Sequence, residues 1–319
     1  MEPGDRNKSR ILIIGGTGHL GKYIVAASAR AGHPTSALVR ATAPPPAPGR
    51  ESSSRARARL LQSFRDAGVS ILQGDIGDHD LLVKAVKAAD VVISVVGYHD
   101  VGEQSKIIAA IKEAGNIKRF IPSDFGNDAD HAHIVEPAKA TFDVEAQIRR
   151  TVEAEGIPYT FVSCNFFAGY YLPTLVQPGS SGLPADKVFI LGDGNTKAIF
   201  VDEEDIATFT IKGVDDPRTL NKVLHIRPPE NALSMNDLVS LWEKKVGRTF
   251  ERVYLTEEVV LKQIRECSPL SIDLAILHSV YINGDHINFE IKPTVGVEAT
   301  QIYPDIKYST VDEYLNRLL

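Results

Sequence analysis

The chain has 319 residues, 43% hydrophobic and 24% charged, with a formal net charge of −6. This is the composition of a soluble globular protein of about two domains with a large core. The acidic balance argues against nucleic acid or an anionic membrane as the main partner, and no apolar run reaches the roughly 18 residues that a membrane span needs. Two cysteines, Cys164 and Cys267, argue against a disulfide scaffold and for a reducing compartment. The opening MEPGDRNKSR has the form of neither a signal nor a transit peptide. A cytoplasmic location is the expectation.

The first half alternates between two kinds of segment. ILIIGG (11–16) is a β-type run, HLGKYIVAASARAG (19–32) a helix closed by Gly32, and TSALVR (35–40) a strand. RARARLLQSFRDAG (55–68) is helical, VSILQGD (69–75) strand-like, DLLVKAVKAA (80–89) helical and DVVISVVG (90–97) strand-like. EQSKIIAAIKEAG (103–115) is helical, KRFIPSDFG (118–126) begins as a strand, a helix spans 137–156, and PYTFVSCN (158–165) closes the series. Six apolar runs separated by five helices predict an α/β fold, a Rossmann-type doubly wound parallel sheet covered on both faces.

Beyond about Asn165 the alternation breaks. KVFILGDGNTKAIFV (187–201) reads as a hairpin about a Gly-Asp-Gly-Asn turn. Ser234 is a candidate N-cap for 234–247, and TEEVVLKQIREC (256–267) opens like a capping box. The expected organisation is a nucleotide-binding domain over 1–160 and a smaller α+β substrate domain over 161–319, with some segments returning to the first. The Pro-rich stretch 41–58 reads as a surface loop.

GGTGHLG (15–21) lies between the first strand and the first helix. Glycines at 15, 18 and 21 let backbone approach a pyrophosphate, and the amides of the helix start hold the anion. A dinucleotide site is therefore expected on Gly15, Gly16, Thr17, Gly18, His19, Leu20 and Gly21. An NAD-type site wants an acidic residue after the second strand. Here that strand ends in Arg40, which suits a 2′-phosphate and hence NADPH. Arg50, Arg55, Arg57 and Arg59 are either further phosphate contacts or solvated charges. No metal-ligand spacing is present. The only Tyr-x-x-x-Lys match, Tyr303–Lys307, contains Pro304, so the usual short-chain dehydrogenase acid is missing.

On a helical wheel for 137–155, Lys139, Asp143, Gln147 and Arg150 form a polar face. Ala138, Thr141, Phe142, Ile148 and Val152 form the opposite one, with Glu145 in its midst. A carboxylate there is either paired, with Arg149 four residues on as its natural partner, or functional.

Several segments then occur in order: GGTGHLGKYIVAASARAGH, FIPSDFGND, VEPAK with IRR and EAEGIPYTFVSCNFFAGYYLP, KVFILGDGNTKAIFV, and LHSVYINGDHINFEI. Together they resemble the plant isoflavone reductase-like family of NmrA-like atypical short-chain dehydrogenases, nearest the phenylcoumaran benzylic ether reductase branch, and the resemblance covers almost the whole chain. It implies an NADPH-dependent reductase of phenylpropanoid dimers. A base removes the phenol proton, the benzylic ether opens to a quinone methide, and hydride adds to the benzylic carbon. It further implies Gly15 to Gly21 for the pyrophosphate, Arg40 and Arg57 for the 2′-phosphate, and Arg149 as a cofactor contact. Asn165, Phe166, Tyr170 and His278 fall in the implied substrate pocket, with His278 equally readable as a packed helix residue. The catalytic lysine of the family falls at Glu145, which makes Glu145 the candidate catalytic residue. Three functions follow: opening of phenylcoumarans, reduction of pinoresinol, lariciresinol or an isoflavone, or a cofactor-binding sensor without catalysis. The expected partner is a small phenolic, with a homodimer as an open expectation.

Overall fold

The computed structural model describes residues 8–40, 53–266 and 270–319. Arg50 and Cys267, both singled out above, lie outside the described residues. The chain forms two compact units: one of residues 1–123, 147–162 and 206–224, the other of 124–146, 163–205 and 225–319.

The first unit opens with β1 (Ile11–Ile14), α1 (Gly21–Arg30), β2 (Thr35–Val39), α2 (Ser53–Asp66) and β3 (Ser70–Gln73). It continues with α3 (His79–Lys87), β4 (Val91–Ser94), α4 (Gln104–Ala114) and β5 (Arg119–Ile121). The five strands form one sheet in the order β3-β2-β1-β4-β5, parallel throughout. Strand order reverses at β1, the arrangement of a Rossmann-type doubly wound sheet, which places a ligand crevice at the carboxyl ends of the strands. β1, β4 and β5 are buried along their whole length, as expected of strands covered on both faces. β3 is an edge strand with Ser70 and Gln73 exposed, so it departs from the expected two-sided cover.

The sixth apolar run also departs from expectation. After α5 (Lys139–Ala154), β6 (Thr160–Ser163) does not ladder onto β5. A single parallel bridge joins Phe120 to Tyr159, with the Phe120 amide donating to the Pro158 carbonyl at 2.7 Å. β5 is only three residues long and begins with Arg119. Its buried guanidinium donates to the Gly213 carbonyl, to Thr219 Oγ1 at 2.6 Å and to the Asp216 carbonyl at 3.0 Å. Those bonds fasten the returning segment 206–224 to the sheet.

In the second unit come β7 (Phe166–Phe167), α6 (Ala168–Tyr171), β8 (Lys187–Leu191) and β9 (Lys197–Val201). α7 (Glu203–Gly213) and β10 (Lys222–His225) run largely through the returning segment 206–224 of the first unit, and the second unit resumes with β11 (Ala232–Ser234), α8 (Met235–Val246), β12 (Glu251–Leu255), α9 (Glu257–Glu266) and α10 (Ser271–Tyr281). The expected hairpin is absent. β8 pairs in parallel with β12, whereas β9 pairs with β7 and β11. Gly192 and Gly194 do make the turn, both at positive φ, and a Cβ on Gly194 would meet Ile190 Cγ2 at 2.4 Å. The turn, however, is tied elsewhere: the Gly192 amide donates to Leu255, and Asn236 at the start of α8 donates to Gly194 and Asp193. Ser234 caps α8 as its sequence suggests, in a full capping box with Asp237. Thr256 Oγ1 accepts weakly from the Val259 amide, at 3.4 Å, at the start of α9. The core of this unit gathers Phe166, Phe200, Trp242, Leu238 and Leu277.

Candidate functional site

The turn from β1 into α1 is built without side chains because none fit. Gly15 has φ +84°, and a Cβ there would lie 2.2 Å from the Val95 carbonyl oxygen. A Cβ on Gly21 would lie 2.2 Å from the Gly15 carbonyl, and one on Gly18 would lie 3.2 Å from it. The Gly18 amide donates to Gly15 at 2.9 Å, closing the turn. α1 starts with no side-chain cap and no acidic residue in its first turn. The positive end of its dipole is therefore met by no carboxylate of its own first turn, a setting that favours an anion. Leu20 is buried as an anchor, while Gly18 and His19 are exposed.

Arg40 follows β2 and is exposed; Arg57 lies on α2 and is half-buried. Arg57 donates from Nη2 to the backbone carbonyl of Arg40. The two arginines that the sequence offers for a 2′-phosphate are thus in contact. Arg55 and Arg59 are exposed on the same helix.

α5 bears out the wheel. Lys139 and Asp143 pair at 2.6 Å on the polar face, and Arg150 pairs with Glu153 at 2.9 Å. Ile148, Arg149 and Val152 are buried, and Glu145 is half-buried on the same stripe. The guanidinium of Arg149 stands 5.1 Å from the centre of the Phe161 ring, a cation–π contact. Tyr303 and Lys307 share no helix, in keeping with a chance match.

In the second unit, Asn165 is buried at φ +59°, a conformation that asparagine tolerates better than most residues. Its Nδ2 donates to the Ile226 carbonyl at 3.0 Å. Phe166 is buried in a ring cluster, stacked on Tyr171 at 3.9 Å and edge-on to His286 at 4.6 Å. Burial raises the phenol pKa of both Tyr171 and Tyr281 well above the ordinary value. Tyr170 is 58% exposed, its ring edge-on to Tyr171 at 5.0 Å. His278, in α10, is buried with Nε2 3.0 Å from Glu257 Oε1.

Two buried networks went unread in the sequence. Asp285 Oδ2 accepts from Ser279 Oγ at 2.5 Å and from the His133 amide at 2.6 Å. Its Oδ1 accepts from His133 Nδ1 and from Asn288 Nδ2, both at 2.8 Å. Next to it, His286 Nε2 lies 2.7 Å from Asn127 Oδ1. Among the described residues no group of three metal-ligating side chains occurs, and no helix is long and apolar enough to cross a membrane.

A model of the NmrA-like family matches residues 7–315. The chain belongs to the NmrA-like family. Within that family it is 60% identical to phenylcoumaran benzylic ether reductase Pyrc5 of Pyrus communis, over 98% of this chain and 99% of that one. It is 59% identical to eugenol synthase 2 of Clarkia breweri, again over 98% and 99%. A solved binary complex of leucoanthocyanidin reductase with NADPH, from Vitis vinifera, superposes with a TM-score of 0.86 at 39% identity over 97% of this chain and 98% of that one.

Proposed function

We propose that this chain is an NADPH-dependent reductase that opens the benzylic ether of phenylcoumarans. The observation that carries the reading is identity of about 60% along essentially the whole chain with a protein named for that activity. The side-chain-free turn from Gly15 to Gly21 supports it, because its amides and close-packed carbonyls suit a pyrophosphate. Gly16, Thr17, His19 and Leu20 complete that turn. Arg40 and Arg57 neutralise the 2′-phosphate, and Arg149 braces the cofactor side of α5. NADPH, when bound, supplies a hydride. Asn165, Phe166, Tyr170 and His278 are assigned to the side of the phenolic substrate. The apolar faces of Phe189 and Tyr254, both exposed, support assembly as a homodimer, which light scattering would test. The sparse cysteines support a cytoplasmic site of action, which a fluorescent fusion would test.

Glu145 takes the position of the base. A carboxylate of ordinary pKa about 4.3 is poorly matched to a phenol near 10, so Glu145 is a weaker base than a lysine in the same place. The test is product formation from dehydrodiconiferyl alcohol and NADPH by the native chain and by Glu145→Lys. Ring-opened product from the native chain, with faster turnover by the variant, supports the reading. Cofactor binding without any substrate-dependent NADPH oxidation, in the native chain and in the variant, defeats it and favours a sensor, the reading that Glu145 itself suggests. The near-equal identity to eugenol synthase 2 makes eugenol formation the second activity to assay.

A further inference from the structure

His286 is the key to an unassigned donor. The backbone amide of Ile199 lies 3.1 Å from His286 Nδ1, and an amide can only donate. Nδ1 therefore carries a lone pair, and the ring proton sits on Nε2. Burial, together with the nearby positive charge of Arg227, lowers the His286 pKa to about 3, so the ring is neutral. Nε2–H must then donate to an oxygen, which fixes Oδ1 of Asn127 toward it at 2.7 Å. The orientation of the Asn127 amide is thereby settled by its hydrogen-bond partner. Its Nδ2 is turned the other way, and it is buried with no hydrogen-bond partner among the described residues.

An amide donor held in this way is destabilising unless something accepts from it. A second donor nearby is in the same condition. The Tyr281 hydroxyl is buried and without a partner, and its ring stands 6.1 Å from Phe166, the ring that His286 also touches. Donors without acceptors beside an aromatic cluster match a ligand that brings oxygen on an aryl ring.

We propose that Asn127 is a substrate-positioning residue: its carboxamide, locked by the neutral His286 ring, donates from Nδ2 to an oxygen of a methoxyphenol. This rests on the reading of the chain as a reductase of phenolics. Asp285 supports the device from the side, since its four hydrogen bonds hold the turn that carries His286.

The test uses the full chain with NADP⁺ and two probes. Guaiacol (2-methoxyphenol) is titrated by calorimetry, and dehydrodiconiferyl alcohol is assayed for turnover. The variants are Asn127→Asp, which keeps an acceptor for His286 and removes the donor, and Asn127→Ser, which serves if the aspartate variant unfolds. Guaiacol should bind the native chain and lose about 5- to 150-fold in affinity in either variant, the equivalent of about 1–3 kcal/mol for one unmet donor. KM for the phenylcoumaran should rise in step while NADP⁺ affinity stays unchanged. Unchanged guaiacol affinity in a folded variant overturns the assignment, as does failure of the native chain to bind guaiacol. Native guaiacol binding that the variants weaken, without turnover of the phenylcoumaran, upholds Asn127 and defeats the phenylcoumaran reading alone.

Discussion

A Cβ on Gly21 would sit 2.2 Å from the carbonyl oxygen of Gly15, a separation that no side chain can occupy. The contact is with backbone, so no rotamer change relieves it. Gly21→Ala should push α1 away from the turn and displace the amides meant for the pyrophosphate. We expect at least a tenfold loss of NADPH affinity, read by cofactor fluorescence. A smaller loss would separate this turn from the cofactor.

Arg40 and Arg57 meet through the Arg40 carbonyl. If they share a 2′-phosphate, the double variant Arg40→Ala/Arg57→Ala should weaken NADPH by one to two charge-assisted hydrogen bonds, about 1.5–3 kcal/mol each. NADH affinity should scarcely change. Equal losses for both cofactors, measured by titration, would mean that the pair acts on helix α2 and not on the phosphate.

Glu145→Gln keeps the size of the side chain and removes its basicity. A base role predicts a fall in kcat of about 10²-fold or more with little change in KM. Unchanged kcat would reassign proton removal to another group and leave Glu145 as half-buried scaffold.

His286 makes stability depend on pH with a definite sign. Its folded pKa is lowered to about 3 from an ordinary 6.5, so the unfolded chain binds the proton first. The contribution of His286 is complete above about 6.5 and is lost as pH falls from there toward 3, by at most about 1.4 kcal/mol per pH unit. Urea melts of the native chain and of His286→Gln at pH 7 and pH 5 should therefore differ most at pH 7. Parallel curves would refute the neutral buried ring.

Asp285→Ala removes an acceptor serving four donors, of which the Ser279 hydroxyl is fully buried. The loss should approach about 3 kcal/mol or more, because buried donors are left unmet. Chemical denaturation reads it directly.

What the sequence made legible follows from the range of each force. The strands from Ile11 to Ile121 announce themselves because a sheet covered by helices needs unbroken apolar runs. The inner stripe of α5 follows from helical period alone, and the Ser234 cap from a hydroxyl residue standing at the start of a helical run. The turn at Gly192–Gly194 was legible as a turn, but not the partners of its strands, since β8 and β9 choose those by packing far along the chain. Asn127 and His286 are 159 residues apart and His133 and Asp285 are 152 apart. No local pattern carries such pairings, and each residue alone looks like an ordinary polar loop position.

Neither unit is a contiguous piece of chain, for each is assembled from three stretches. A gene cut at any single codon therefore delivers neither of them whole. The Rossmann-type half cannot be lent to another enzyme as a cassette, and recombination within relatives has to exchange several crossover points at once.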